Sequence, residues 1–228
     1  MMLPTPHAIL FDWDNTLVDT WPTIHAALNQ TMRYMQHPEW SLDYVKATVK
    51  KSMRESFPEL FGDRWEEAAN HYQQSYRAMH LQTLQPLEGA EITLRALCAQ
   101  PIFLGVVSNK RGDTLRLELK HLGWENYFDV VIGAGDAARD KPSCDPALLA
   151  LANYSGARAQ SVWFVGDTAV DLECASAIGA TAILYGDHAP QGMVHDGHGF
   201  AAHVIDHAQF QKLVADTIAA GSPAHGHG

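Results

Sequence analysis

Short apolar runs, each closed by a turn signal, recur along this 228-residue chain. Ala8-Ile9-Leu10-Phe11, Ile102 to Val107, Asp129 to Gly133, Val162 to Val165 and Thr181 to Tyr185 have the length and composition of buried strands. Between them the period changes. Leu115, Leu119 and Leu122 recur at helical spacing and stop at Gly123, a C-cap signal. Asp145, with Pro146 behind it, is expected to cap a further helix, and another runs from Val170 to Gly179. Phe210, Leu213, Val214 and Ile218 mark a last amphipathic helix. Strands alternating with helices imply right-handed crossovers, and so an α/β fold with a doubly wound parallel sheet.

One stretch departs from that alternation. From residue 18 to about 84 the pattern is helical throughout, with no strand candidate. Asp19-Thr20-Trp21-Pro22 opens a helix carrying Ile24, Leu28, Met32 and Met35, which stops at His37-Pro38. Ser41 opens the next, and Asp63 with Glu66 three residues on has the form of a capping box. Residues 18–85 therefore read as a small α-helical domain inserted into a core made of 1–17 and 86–228. The length allows one domain with such an insert.

Composition is that of a globular protein, 46% hydrophobic and 18% charged. The formal net charge of −10 argues against nucleic acid or an anionic membrane as general partners, while leaving room for a small anionic substrate. Cys98, Cys144 and Cys174 are odd in number and widely spaced, which points to a reducing compartment. No run approaches a membrane span, and Met1 to Leu10 carries Pro4 and Pro6 without a positive segment, so a cytoplasmic location is expected. Monomer and dimer are equally compatible with the sequence.

The polar residues that close the strands carry the chemistry. Asp12 and Asp14 follow the first strand, Ser108 the second, Lys141 the third, Asp167 and Asp171 the fourth. In a parallel sheet these ends share one edge, where α/β proteins bind ligands. Two carboxylates two residues apart repel unless a cation or proton lies between them, and a hard divalent ion such as Mg²⁺ meets that need. Asp167 can complete the site with Asp12, while Asp171 can accept from Lys141 or a metal-bound water. Ser108 suits phosphate oxygens, and Lys141 supplies a compact positive charge. Taken singly, each is also an ordinary turn or capping residue. Their joint placement favours a site.

Asp12-Trp13-Asp14-Asn15-Thr16, Ser108-Asn109-Lys110, Lys141-Pro142-Ser143-Cys144-Asp145-Pro146 and Gly166-Asp167-Thr168-Ala169-Val170-Asp171 together resemble the motifs of the haloacid dehalogenase superfamily. The likeness is to its phosphoglycolate phosphatase-like hydrolases, with a helical cap after the first motif, and it spans about residues 7 to 186. It implies a Rossmann-like core and a Mg²⁺-dependent phosphatase. In that scheme Asp12 is the nucleophile and Asp14 the general acid and base, with Lys141 holding the transferring group. Thr16, Ser108 and Asn109 bind substrate; Asp12, Asp167 and the Asp14 backbone carbonyl bind metal; Asp171 stands behind them. Asn15 stands where Gly is more usual, and Trp13 contributes only its backbone.

The stretch Lys50 to Phe57 resembles the cap segment that faces the active site in relatives, where Arg54 would take a second anionic group of the substrate. A solvated basic helix face accounts for it as well. His195, His198, His203 and His207 could suggest zinc, but without Cys or a carboxylate set a surface histidine cluster is the expectation. A small phosphorylated metabolite is the expected partner. A sugar-phosphate mutase, returning the phosphoryl group to substrate, and a silent binding module of the same fold stay open as alternatives. No G-x-x-x-x-G-K-[ST] loop supports a kinase.

Overall fold

The computed structural model describes residues 3–49, 53–156, 159–187 and 199–221. The chain divides into two compact units, Met1–Val18 with Pro86–Gly228, and Asp19–Gln85.

The first unit is built on a six-stranded parallel sheet. In chain order its strands are β1 (Ala8–Phe11), β4 (Phe103–Arg111), β5 (Val130–Ala134), β6 (Val162–Gly166), β7 (Thr181–Tyr185) and β8 (Ala202–Val204), arranged as β5-β4-β1-β6-β7-β8. β1 is central, with Ala8 opposite both Phe103 and Val162. It is buried on both faces, which is why it reads as an unbroken apolar run. Ala8 and Leu10 join Val107, Phe164 and Leu172 in one core layer. On the other face Phe11 meets Phe210 edge to face at 5.5 Å. The chain fills the β4 side of β1 first and then the β6 side, so the connection reverses direction beside β1.

The helices of this unit are α5 (Ala90–Cys98), α6 (Gly112–Leu122), α7 (Asp145–Ala150), α8 (Ala169–Ala177) and α9 (His207–Gly221). Gly123 ends α6 in the left-handed region, at φ 70°, as its place after the leucine repeat predicts.

The second unit is helical: α1 (Trp21–Tyr34), α2 (Leu42–Thr48), α3 (Met53–Phe61) and α4 (Trp65–Thr83). Leu28, Met32, Val45, Phe57, Phe61 and Ala68 form its core. Asn29 pins the turn after α1, donating to the Trp40 carbonyl and accepting from the Trp40 amide. Short strands β2 (Val18–Asp19) and β3 (Gln85–Pro86) pair where the chain passes between the units, in a region with no strand signal in the sequence.

Local details differ from the sequence reading. β4 runs on through Ser108-Asn109-Lys110 to Arg111 instead of closing at Val107; its register against β5 shifts between Val107 and Arg111, so the pairing survives an irregular segment. Asp63 does not cap α4. It lies in a 3₁₀ turn, Gly62–Arg64, because Gly62 takes a positive φ, and Arg64 precedes the helix. Asp145 is the first residue of α7 rather than its cap, and its carboxylate is taken by Arg139. At α1 it is the Asp19 carboxylate that accepts from the Trp21 amide.

All three cysteines are free. Among the described residues no helix is long and apolar enough to cross a membrane.

Candidate active site

The carboxyl ends of β1, β4 and β6 are neighbours in the sheet; β1 and β6 each hand the chain to an aspartate, and β4 carries Ser108 and Asn109 near its end. Phe11 of β1 leads into a tight loop in which the Trp13 carbonyl accepts from the amides of Leu17 and Val18 at 3.0 and 3.2 Å. Asn15 sits in the left-handed region at φ 56°, with its amide on the Val18 carbonyl. A side chain other than Asn, Asp or Gly is strained there, which gives the physical reason for Asn15 at this position.

Asp12 is buried at the end of β1. Its Oδ1 accepts from the Lys141 ammonium at 2.8 Å, and the same ammonium donates to the Val107 carbonyl at 2.8 Å and to Asp171 Oδ1 at 2.6 Å. Lys141 thus ties β1, β4 and α8 together from the loop after β5. Asn109 fixes the backbone of that loop, its amide group donating to the Lys141 carbonyl and its oxygen accepting from the Lys141 amide, both at 2.9 Å. Asp171 is buried on the first turn of α8, and its second oxygen accepts from the Thr168 amide and hydroxyl. Gly166 lets that helix approach the strand end: a Cβ there would lie 2.4 Å from Asp171 Cβ.

Oxygens of Asp12, Asp167 and Asp171 lie within 4.8 Å of one another. Burial, reinforced by Asp171 and Asp14, pushes the Asp12 carboxyl up to about 6 against the pull of Lys141. Asp167 is raised as well, by burial first and then by Asp12 and Asp171. Burial opposes the charge on Lys141, yet the two carboxylates outweigh it and hold the ammonium above its ordinary range. Three carboxylates against one ammonium leave two negative charges unbalanced, and one divalent cation would balance them. The donor set is all oxygen, which suits a hard ion. Since both Asp171 oxygens are already engaged, Asp12 and Asp167 are the carboxylates that could hold it.

Residues 9–185 match the haloacid dehalogenase-like hydrolase family. The chain belongs to that family. A phosphoglycolate phosphatase of Xanthomonas campestris is 31% identical over 187 residues, covering 79% of this chain and 84% of the relative. A pyrophosphatase, PpaX, of Halalkalibacterium halodurans is 28% identical over 166 residues, 73% of this chain and 77% of the relative. In fold, the chain is similar to a solved haloacid dehalogenase-like hydrolase from Streptococcus pneumoniae, with TM-score 0.80 and 22% identity, covering 91% of this chain and 97% of that one.

Set on this haloacid dehalogenase-like core, Ser108 is buried at the irregular part of β4, with its hydroxyl accepting from the Lys110 amide at 3.2 Å. Thr16 departs from the sequence expectation of a substrate ligand. Its side chain is fully buried and its hydroxyl has no hydrogen-bond partner, while its carbonyl accepts from His207 Nε2 at 2.9 Å. Thr16 holds the Asp12–Thr16 loop from inside. Arg54 falls on α3, but its side chain lies outside the described residues, as do Lys50 and Lys51.

Of the four histidines expected as a surface cluster two are described, and of these only His203 is exposed. His195 and His198 lie outside the described residues; His203 Nε2 meets the Gly186 carbonyl at 2.6 Å, and His207 is buried under the Asp12–Thr16 loop.

Sequence reasoning passed over a further linked set of side chains at the same edge. Asp14 Oδ1 accepts from the Lys110 ammonium at 2.6 Å, and Lys110 also donates to Glu118 Oε2 at 2.6 Å. That carboxylate accepts from Trp13 Nε1 at 2.7 Å as well, so Trp13 contributes far more than its backbone. The signal was present: Glu118 sits on the stripe Leu115, Leu119, Leu122, and an acid on the apolar face of a helix needs a buried partner.

Proposed function

We propose that this protein is a Mg²⁺-dependent phosphatase that hydrolyses a small phosphorylated metabolite, of the phosphoglycolate kind, through an aspartyl-phosphate on Asp12. The observation that carries the reading is the Lys141 ammonium shared between Asp12 and Asp171, beside an acidic cluster two charges short of neutrality. Asp12 attacks phosphorus; the bond from phosphorus to the ester oxygen breaks as the new bond to the carboxylate oxygen forms. Asp14 gives its proton to the departing oxygen, then takes one from the water that attacks the phospho-aspartate, releasing phosphate and restoring Asp12. Ser108 and the Asn109 backbone N–H hold the phosphoryl oxygens, while Lys141, its three donors taken by Asp12, the Val107 carbonyl and Asp171, contributes its positive charge beside them. Asp12, Asp167 and the Asp14 carbonyl would hold Mg²⁺, which would supply neutralisation of the negative charge gathered at the site. The metabolite class is supported by relatives that are phosphoglycolate phosphatases.

The test is release of phosphate from a panel of phosphorylated two- and three-carbon acids, sugar phosphates and pyrophosphate, run in ¹⁸O-labelled water with Asp12→Ala as the blank. Turnover that is strongest on a phosphorylated small acid, places label in the phosphate and vanishes with Asp12→Ala or EDTA supports the reading. Activity surviving Asp12→Ala refutes the mechanism, and phosphoryl return to the sugar without label identifies a mutase instead.

A further inference from the structure

The carboxylate assigned to proton transfer is gripped by a ring of side chains that serves none of the steps above. Trp13 Nε1 donates to Glu118 Oε2 at 2.7 Å, Lys110 Nζ donates to the same oxygen at 2.6 Å, and Lys110 Nζ donates to Asp14 Oδ1 at 2.6 Å. The ring begins and ends on adjacent residues of the nucleophile loop. Its two ionic members are withdrawn from water, with side-chain exposure of 6% for Lys110 and 0% for Glu118, whereas Asp14 keeps 29%. The far side is backed by aromatic packing, Trp13 lying edge to face on Trp124 at 5.9 Å. A partly exposed aspartate on a short loop would otherwise sample several rotamers. Here one oxygen is fixed by a buried ammonium that is fixed in turn from α6.

We propose that Lys110, anchored by Glu118 and Trp13, is the positioning residue for Asp14: it occupies Oδ1 and so leaves Oδ2 as the oxygen that carries the transferable proton. This rests on the reading of Asp14 as proton donor to the leaving group. Lys110 acts through Asp14 and Glu118, the two carboxylates its ammonium meets. It sets where the proton is delivered, and a carboxyl misplaced by an ångström loses much of the advantage of general acid catalysis. Glu118 supplies the countercharge that lets a lysine be buried beside the reacting carboxyl, and the Trp13 indole fixes the orientation of Glu118.

The test uses leaving groups, because an activated phenol departs without a proton and an alcohol does not. kcat/KM is measured on 4-nitrophenyl phosphate, phenyl phosphate and an alkyl phosphate. The variants are wild type, Asp14→Asn, Trp13→Phe and the double variant Lys110→Met with Glu118→Gln, which removes both buried charges together. The double variant is expected to lose at least about tenfold more on the alkyl ester than on the nitrophenyl ester, as part of the 10²–10⁴ that a general acid contributes. Trp13→Phe is expected to shift the same ratio by a few fold. A loss equal on all three esters in the double variant means a structural ion pair only and overturns the proposal. Should the double variant not fold, Trp13→Phe decides: an unchanged ratio overturns the proposal and a steeper dependence on the leaving group supports it. Asp14→Asn separates the two levels. If it shows no dependence on the leaving group, the assignment of Asp14 as acid falls; if it does and the Lys110 and Trp13 variants do not, only the positioning role falls.

Discussion

His207 is the buried histidine on which the Asp12–Thr16 loop rests, and it gives a quantitative test of how α9 supports the candidate site. The Thr16 carbonyl can only accept, so Nε2 carries the proton, and Nδ1 is left buried without a partner. Burial pulls the imidazole down from 6.5 to about 4, against smaller opposing effects of the bond to Thr16 and the charge of Asp206. The sign follows from proton counting. Between about pH 6.5 and 4 the unfolded chain binds a proton that the folded chain refuses, so stability rises with pH across that window and is lost as pH falls through it. Taking the two values at face value, acidification from pH 7.5 to 4.5 should cost about 2.5 kcal/mol through this one residue. Asp12 works in the opposite direction, since its raised carboxyl is protonated earlier in the folded state than in the unfolded one. The measurement is therefore a difference. Urea unfolding of wild type and His207→Gln, both without metal, is followed at several pH values between 7.5 and 4.5, so that the Asp12 contribution cancels. Wild type should hold its advantage at pH 7.5 and lose about 2.5 kcal/mol of it, relative to the variant, by pH 4.5. A gap that stays constant within about 0.5 kcal/mol across the range would show that His207 is not held neutral and that the bond to Thr16 does not anchor the loop.

Three further outcomes are expected. Mg²⁺ at a hundred times its dissociation constant should add about 2.7 kcal/mol, raising Tm by roughly 5–10 °C; Asp167→Asn should abolish that rise in a thermal melt while making the metal-free protein more stable, because it removes one carboxylate from the crowded cluster. Lys141→Met leaves Asp12 and Asp171 buried without their ammonium, and should cost about 3–5 kcal/mol in urea unfolding and at least about a hundredfold in kcat; a variant of wild-type stability would mean the cluster is protonated or already relaxed. At Asn15, φ 56° makes Asn15→Gly neutral within about 0.5 kcal/mol, whereas Asn15→Val should lose about 1–2 kcal/mol by the same assay; equal stabilities would place the loop outside the left-handed region.

The sheet and the residues at its edge were legible because both are written in local signals. Buried parallel strands are continuous apolar runs, and two of the strand ends carry their polar residue at the next position, at Phe11-Asp12 and Gly166-Asp167. The meeting of Asp12, Lys141 and Asp171 followed from the rule that parallel strands share their carboxyl edge, whereas the order of the strands came only from the folded chain. Other features depended on partners far away in sequence. β2 and β3 are two residues each, too short to leave a period, and exist because residues more than sixty positions apart pair. Asp63 has the local form of a cap, yet Gly62 turned the chain otherwise.

What the sequence determined by itself was the alternation that makes an α/β core, the helical insert, and the identity of the acids and the lysine at the strand ends. Tertiary structure alone decided how those side chains are held: Trp13 to Glu118 across 105 positions, Lys141 to Asp12 across 129, and His207 to Thr16 across 191. A hydrogen bond between distant segments leaves no period in either segment. It is fixed only when packing has brought both ends to the same place and removed the water that would otherwise satisfy them.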